Sequence, residues 1–253
     1  MVFVMFSTQG FFPRAAVAAS SIKLHHPQDR LDLVTIPDKE LVNGYIPNMP
    51  RMRLERCLEH LRAGETVISV GADCVFYAPL QDFIAPPYEE ANIVLTPHTV
   101  KPPADAAAQY RCGAANADLV GFSPTQATIE AVEWLLKQPL ALGPGQFYEQ
   151  TPMSMLPFIM RGVEVSRDSS INVAYFNLHE RELKKNFLGN YLVDNNPLTM
   201  FQFSGWCPET LSKHWINPVI TPTLKELMSA YQSEIEAFRP DQNQIAAYTA
   251  PPS

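Results

Sequence analysis

The chain alternates short apolar runs with polar, proline-marked breaks. Val2 to Phe6 is unbroken apolar sequence closed by Ser7-Thr8-Gln9-Gly10, which predicts a buried strand entering a loop. Pro13 suits the first turn of a helix, Arg14 to His26 carries helix formers, and Pro27 stops it. Leu31 to Ile36 predicts a second strand. Strand, helix, strand is the opening of an α/β sheet. The polar stretch 38–50 reads as a loop. Leu54, Cys57, Leu58 and Leu61 then recur at helical spacing, with Gly64 placed to cap the C-terminus.

Further strands are predicted at Thr66–Val70, Ile93–Leu95, Leu119–Phe122, Val163–Val165, Ile171–Leu178 and Leu198–Phe203. Residues 99–111 read as loop. Ser123-Pro124 predicts a helix N-terminus, followed by the stripe Ile129, Val132, Leu135 and Leu136. The stretch from Phe147 reads as a loop entering a helix. A last helix over about 223–238 carries Leu224, Leu227, Met228, Tyr231 and Ile235 on one face. The pattern gives one domain over 1–239. The proline-containing polar tail, 240–253, is expected to be disordered.

Composition narrows the function. With 253 residues and 46% hydrophobic content, the chain can bury a sizeable core. A net charge of −7 argues against a large nucleic-acid footprint but leaves room for a local basic pocket for a diphosphate. The four cysteines form no CxxC pair, so neither a zinc knuckle nor a redox dithiol is expected, and scattered thiols fit a reducing compartment. The N-terminus lacks a basic region before its short apolar run, and no stretch is long enough to span a bilayer; a cytoplasmic protein is expected. GxGxxG, the P-loop and GxSxG are absent. His179-Glu180-Arg181-Glu182-Leu183 lacks the spacing of HExxH.

In an open α/β sheet, ligands bind beyond the carboxyl ends of the strands. The polar groups there are Ser7, Thr8 and Gln9; Asp73; Asn116 and Asp118; Glu149 and Gln150; Asn172; and Gln202 with Ser204. These could meet in one cleft. His98 is read as shaping a loop. Asp73 also suits a turn cap, Asn172, His179 and Arg181 equally suit an internal polar network, and Trp206 suits either core or a platform for a sugar ring.

Six segments in this order resemble bacterial GT-A glycosyltransferases that use nucleotide-diphosphate sugars. FSTQGFFPRAAVAASSIKLHHP resembles their first strand and helix. VISVGADCVFYAPL resembles the segment that usually reads LDADxxxF, the DxD motif. NIVLTPH with GAANADLVGFS resembles the strand and YNAGFxGFS donor-sugar loop, and FYEQ resembles xxDQ. INVAYFNLHER is very close to NVAYWNLHER, and MFQFSGWCP resembles xFHFSGFxP. The likeness runs from about residue 2 to about residue 208.

The resemblance implies a GT-A fold, with a central mixed sheet and helices on both faces. It implies transfer of a sugar, a UDP-sugar favoured, to an acceptor hydroxyl on a saccharide, lipid-linked glycan, protein or modified base. Ser7, Thr8 and Gln9 would line the base and ribose pocket. Asn116, Gln150, Gln202, Ser204 and Gly205 would hold the donor, and Glu149 and Asp118 are the catalytic candidates. Asp73 would sit beside the diphosphate or a Mn2+ or Mg2+ ion.

Two departures weaken that metal site. Gly71 stands where the first Asp of the motif would be, and Gln202 where a histidine often completes the site. Without metal, Arg14, Arg51, Arg53 or Lys101 would have to stabilise the leaving diphosphate. Two other readings remain at this stage. One is a non-catalytic module that holds a nucleotide sugar or a partner. The other is a transferase acting on hydroxymethylated DNA bases.

Overall fold

The computed structural model describes residues 1–42, 46–80, 83–84, 93–101, 112–143, 146–204 and 220–238. Gly205, Trp206 and the tail from Pro240 lie outside the described residues.

The main sheet has six strands. They are β1 (Val2–Thr8), β2 (Arg30–Ile36), β3 (Val67–Val70), β5 (Ile93–Pro97), β6 (Ala115–Phe122) and β9 (Val163–Val165), in the order β2-β1-β3-β6-β5-β9. β1 runs parallel to β2 and β3, whereas β6 is antiparallel to β3 and β5, so the sheet is mixed. β1 has apolar residues on both faces because both are covered. Val2, Val4 and Phe6 enter one core with helices α2 (Met49–Arg62) and α3 (Gln126–Leu136). Phe3 and Met5 enter a second core with helix α1 (Phe12–His25). Helices therefore pack on both faces, and the fold is α/β of the GT-A type.

A second sheet stands beside the first. β4 (Cys74–Phe76) follows β3 after the three residues Gly71–Asp73 and pairs antiparallel with β14 (Met200–Gln202), which pairs parallel with β10 (Val173–Ala174). The register sets Gln202 opposite Cys74, so that a strand near the end of the described chain meets the turn after β3. Helix α6 (Pro222–Ala237) buries Leu224, Leu227, Met228 and Tyr231 in the core beneath this sheet.

Several boundaries differ from the sequence reading. Strand β6 starts at Ala115 rather than Leu119, so Asn116 and Asp118 lie within a strand. Helix α3 is capped by Thr125, whose Oγ1 accepts from Thr128 N at 3.2 Å, and not by Ser123. The run Ile171–Leu178 is not one strand. Asn172 has φ +51, only Val173–Ala174 pair, and Tyr175–Asn177 turn into a 3-10 helix because the Asn177 side chain accepts from Ala174 N. The segment after Phe147 forms two short helices, α4 (Gln150–Met153) and α5 (Leu156–Ile159). The antiparallel ladder β11 (Leu183–Lys185), β12 (Tyr191–Val193) and β13 (Asn196–Pro197) was not anticipated; it consists of two- and three-residue strands, half of them exposed.

Candidate functional site

From β1 the chain leaves to β2 on one side and returns to β3 on the other. A crevice opens between such strands at their carboxyl ends. A cavity of about 820 Å3 lies there. Phe6, Ser7 and Thr8 line it from the end of β1, and Gly71 and Ala72 from the end of β3. The loop after β1 is tied down: Gly10 N donates to Asp38 Oδ1 at 2.9 Å, and Gln9 N to Ile36 O at 3.0 Å.

Strand β6 supplies the next wall through a break in its pairing. Leu95 faces Val120, but Thr96 faces Asn116, so Ala117, Asp118 and Leu119 are extra residues on β6. Such a bulge re-aims side chains. Here it presents Asn116, Ala117 and Asp118 to the cavity. The freed backbone is satisfied locally. Ala117 N donates to Gln150 Oε1 at 3.1 Å, Asp118 N to Asn116 Oδ1 at 2.7 Å, and Thr96 Oγ1 to Leu119 O at 2.9 Å.

Charged groups meet on this wall. Arg53, from the buried face of α2, is ion-paired with Glu149 and lies 3.8 Å from Asp118 Oδ1. Arg53 and Glu149 are 12% and 5% exposed, so each needs the other, whereas Asp118 at 28% faces the cavity. Burial opposes the charge of Arg53, but Glu149 and then Asp118 outweigh it and raise its pKa. Gln202 Nε2 donates to Asp118 Oδ2, and Gln202 Oε1 accepts from Asn116 Nδ2 at 2.9 Å. Asn116, Gln202 and Asp118 thus form one hydrogen-bonded chain.

Asp73 is buried just behind Gly71 and Ala72 and is not among the lining residues. Burial first, and then the charge of Asp118, raise its pKa. Asp118 is raised as well, by burial. Ser204 lines the cavity, and Tyr175 Oη donates to its carbonyl. Gln9 is exposed and does not line the cavity.

Of the four cations weighed for a leaving group, Arg53 alone lines the cavity. Arg51 donates to Leu136 O, Lys101 Nζ donates to Glu180 O, and Arg14 lies 4.9 Å from the Phe11 ring centre. Asn172 and Arg181 are buried and bond backbone carbonyls, which makes them part of an internal network, whereas His179 is exposed and bonds Phe176 O in its own turn.

His98 faces the cavity, and so do Asp38, Phe11 and Tyr148, which the sequence reading did not single out. One sign of Arg53 was present in the sequence. It falls on the i, i+4 stripe Met49, Arg53, Cys57, where a charge among apolar positions marks a buried cation in want of a partner.

The arrangement defines the class of fold, a GT-A domain with its cleft at the end of β1. Solved structures similar to this fold include glycosyltransferases. One, involved in the glycosylation of the major capsid of PBCV-1, matches at TM-score 0.53 and 9% identity, over 94% of this chain and 100% of that one. The galactosyltransferase LgtC, solved with donor and acceptor sugar analogs, matches at TM-score 0.51 and 12% identity, over 96% and 98%. GlyE of Streptococcus pneumoniae TIGR4 matches at TM-score 0.52 and 10% identity, over 93% of this chain and 63% of that one. No protein-family model and no curated protein matches the sequence. At these identities the likeness is one of fold. Among the described residues, no helix is long and apolar enough to cross a membrane.

Proposed function

We propose that the chain is a glycosyltransferase that moves a sugar from a nucleoside-diphosphate donor, UDP favoured, to an acceptor hydroxyl. One observation carries the reading. Polar residues from four separate segments, Ser7–Thr8, Asn116 with Asp118, Glu149–Gln150, and Gln202 with Ser204, line a single cavity at the switch point of a GT-A sheet. Its volume of about 820 Å3 lies within the range of small-molecule sites and leaves room for a nucleotide and a sugar.

In this reading the loop Ser7–Phe11, held by Asp38, receives the base and ribose. The Asn116–Gln202 pair and Gln150 hold the donor sugar. Arg53 fixes the Glu149 carboxylate, which then orients a sugar or acceptor hydroxyl. His98 presents a ring with one tautomer selected: its Nδ1 bonds Gly113 O at 2.9 Å, and burial lowers its pKa to about 4, so it meets a ligand as a neutral acceptor through Nε2.

A divalent ion of the Mn2+ or Mg2+ class belongs to the same reading. Among the described residues no three His, Cys, Asp or Glu side chains cluster to hold a metal by themselves. Mg2+ in particular is usually held by one or two carboxylates plus substrate phosphates. In the turn 71–74 the hard oxygens of Asp73 are the donors suited to such an ion, although its side chain is buried and does not line the cavity, while the Cys74 thiol is buried with its pKa raised by burial. Such an ion, when bound, offsets the charge of the departing diphosphate.

The test is a thermal-shift panel of nucleoside diphosphates and their sugar conjugates, followed by donor hydrolysis with and without Mn2+. At least one uridine or guanosine diphosphate is expected to raise the melting temperature. A flat response across the panel overturns the reading. Binding without hydrolysis or transfer points instead to a non-catalytic module.

A further inference from the structure

Gly71 is the first residue after β3, in the place where a side chain would enter the cleft. Its backbone N donates to Asp118 O at 2.9 Å, across the antiparallel pair that sets Val70 opposite Leu119. A Cβ built on Gly71 would lie 2.9 Å from Asp118 Oδ1 and 3.0 Å from its Cγ. The space that a side chain at position 71 would take is therefore already occupied, and its occupant is a carboxylate.

That carboxylate is held in place. The bulge in β6 pushes Asp118 outward, Asn116 pins its backbone N, and Gln202 donates to Oδ2. Among the described residues, the ion-pair partner of Oδ1 is Arg53 at 3.8 Å, and Asp118 lines the cavity.

We propose that Asp118 supplies from β6 the carboxylate that position 71 lacks, and that this carboxylate holds a divalent cation on the donor diphosphate. This rests on the proposed nucleoside-diphosphate site and goes one step beyond it. Residues 71 and 118 act as a reciprocal pair: one carboxylate and one glycine, on adjacent strands, sharing one space.

Charge supports a cation there. Among the described residues lining the cavity, Asp38, Asp118 and Glu149 face the single cation Arg53. A diphosphate adds more negative charge to a wall that is already negative. A dication bound between Asp118 and the phosphates removes that conflict, and one more arginine contact would not. Gln202 completes the arrangement as an orienting residue, because its amide N–H steers Oδ2 and leaves Oδ1 to the ion.

The experiment follows Mn2+ binding through loss of the free-ion electron paramagnetic resonance signal, at a fixed concentration of UDP or GDP. The chains compared are the wild type, Asp118→Asn, Gly71→Asp and the exchange G71D/D118G. Asp118→Asn is nearly isosteric and is expected to weaken Mn2+ binding by about 10–100-fold. Metal-free binding of the diphosphate, measured in parallel for each chain, separates loss of the ion from loss of the diphosphate site. Gly71→Asp alone forces two carboxylates into one space and is also expected to be impaired. The exchange should regain most of the lost affinity.

Wild-type Mn2+ affinity in Asp118→Asn overturns the proposal, and so does an exchange variant that folds but binds no better than Asp118→Asn. If circular dichroism shows the exchange unfolded, the Asp118→Asn result decides alone. Diphosphate binding in which Mn2+ takes no part sinks this proposal and leaves the function standing. Failure of the wild type to bind either diphosphate, with or without Mn2+, sinks the function and this inference with it.

Discussion

Three residues on the cavity wall, Arg53, Glu149 and His98, carry charge or suppress it at a cost, and each can be tested by substitution. Arg53 and Glu149 are buried against each other, so removing one leaves the other without its counter-charge. Arg53→Gln is expected to destabilise the fold by about 3 kcal/mol or more in urea unfolding. Adding Glu149→Gln to it should return part of that loss, giving a double variant less damaged than the sum of the singles. Strict additivity would show that the ion pair is not a unit. His98 acts through its proton. Burial lowers its pKa from 6.5 to about 4, so between those values the unfolded chain binds the extra proton and stability falls as pH drops. The loss amounts to about 3 kcal/mol by linkage, as an upper figure. Asp73 has the opposite sign: its pKa is raised, so its contribution is present at low pH and lost as pH rises. The wild-type profile mixes these with other shifted groups such as Asp118 and His26, and the difference between wild type and His98→Gln isolates the histidine. That difference should narrow between pH 6.5 and 4; a constant offset would mean that His98 does not remain neutral.

At the scale of elements, the segment 171–181 is a clamp for the strand end beside it. Asn172 Nδ2 donates to Pro97 O at 3.0 Å, Asn177 Nδ2 to His98 O at 3.1 Å, and Glu180 accepts from Val100 N and Lys101 N. These bonds fix the stretch Pro97–Lys101, and with it the His98 ring on the cavity. Glu180→Gln removes the charge from two backbone contacts and is expected to cost about 1.5–3 kcal/mol. It should also speed amide exchange at Val100 and Lys101 without changing exchange in β1. Uniform acceleration everywhere would reduce Glu180 to a general stabiliser.

This clamp also marks where the sequence stopped being legible. Apolar runs such as Val2–Phe6, and Gly64 with its φ of +80 after α2, announce themselves because their cause is local. Ile171–Leu178 has the composition of a strand, yet two asparagines bend it by bonds to residues more than 70 positions away or to their own turn. Gly71 was visible as a departure from a motif and Asp118 as a carboxylate at a strand end. That they fill one space followed only from the pairing of β3 with β6.

On the scale of the whole molecule, the cavity is where three cores touch. Phe6 and Ala117 belong to the core with α2 and α3, Ala72 to the core with α1, and Tyr175 and Phe176 to the core beneath α6. A ligand that contacts all three should tie them into one cooperative unit. Leu227 lies fully buried in the third core, where α6 also stacks Tyr231 on Phe203 with ring centres 3.8 Å apart. Leu227→Ala is expected to cost about 2–5 kcal/mol through the cavity it leaves. If the cores unfold together, calorimetry will show a single transition, lowered in the variant. A saturating nucleoside diphosphate will raise that transition in both chains, by about 2.7 kcal/mol at a hundredfold excess over Kd. Suppose instead that α6 and the small sheet form a separate unit. The variant would then show an early transition that the ligand leaves unmoved, and Tyr175 and Phe176 would have to be struck from the ligand-binding wall.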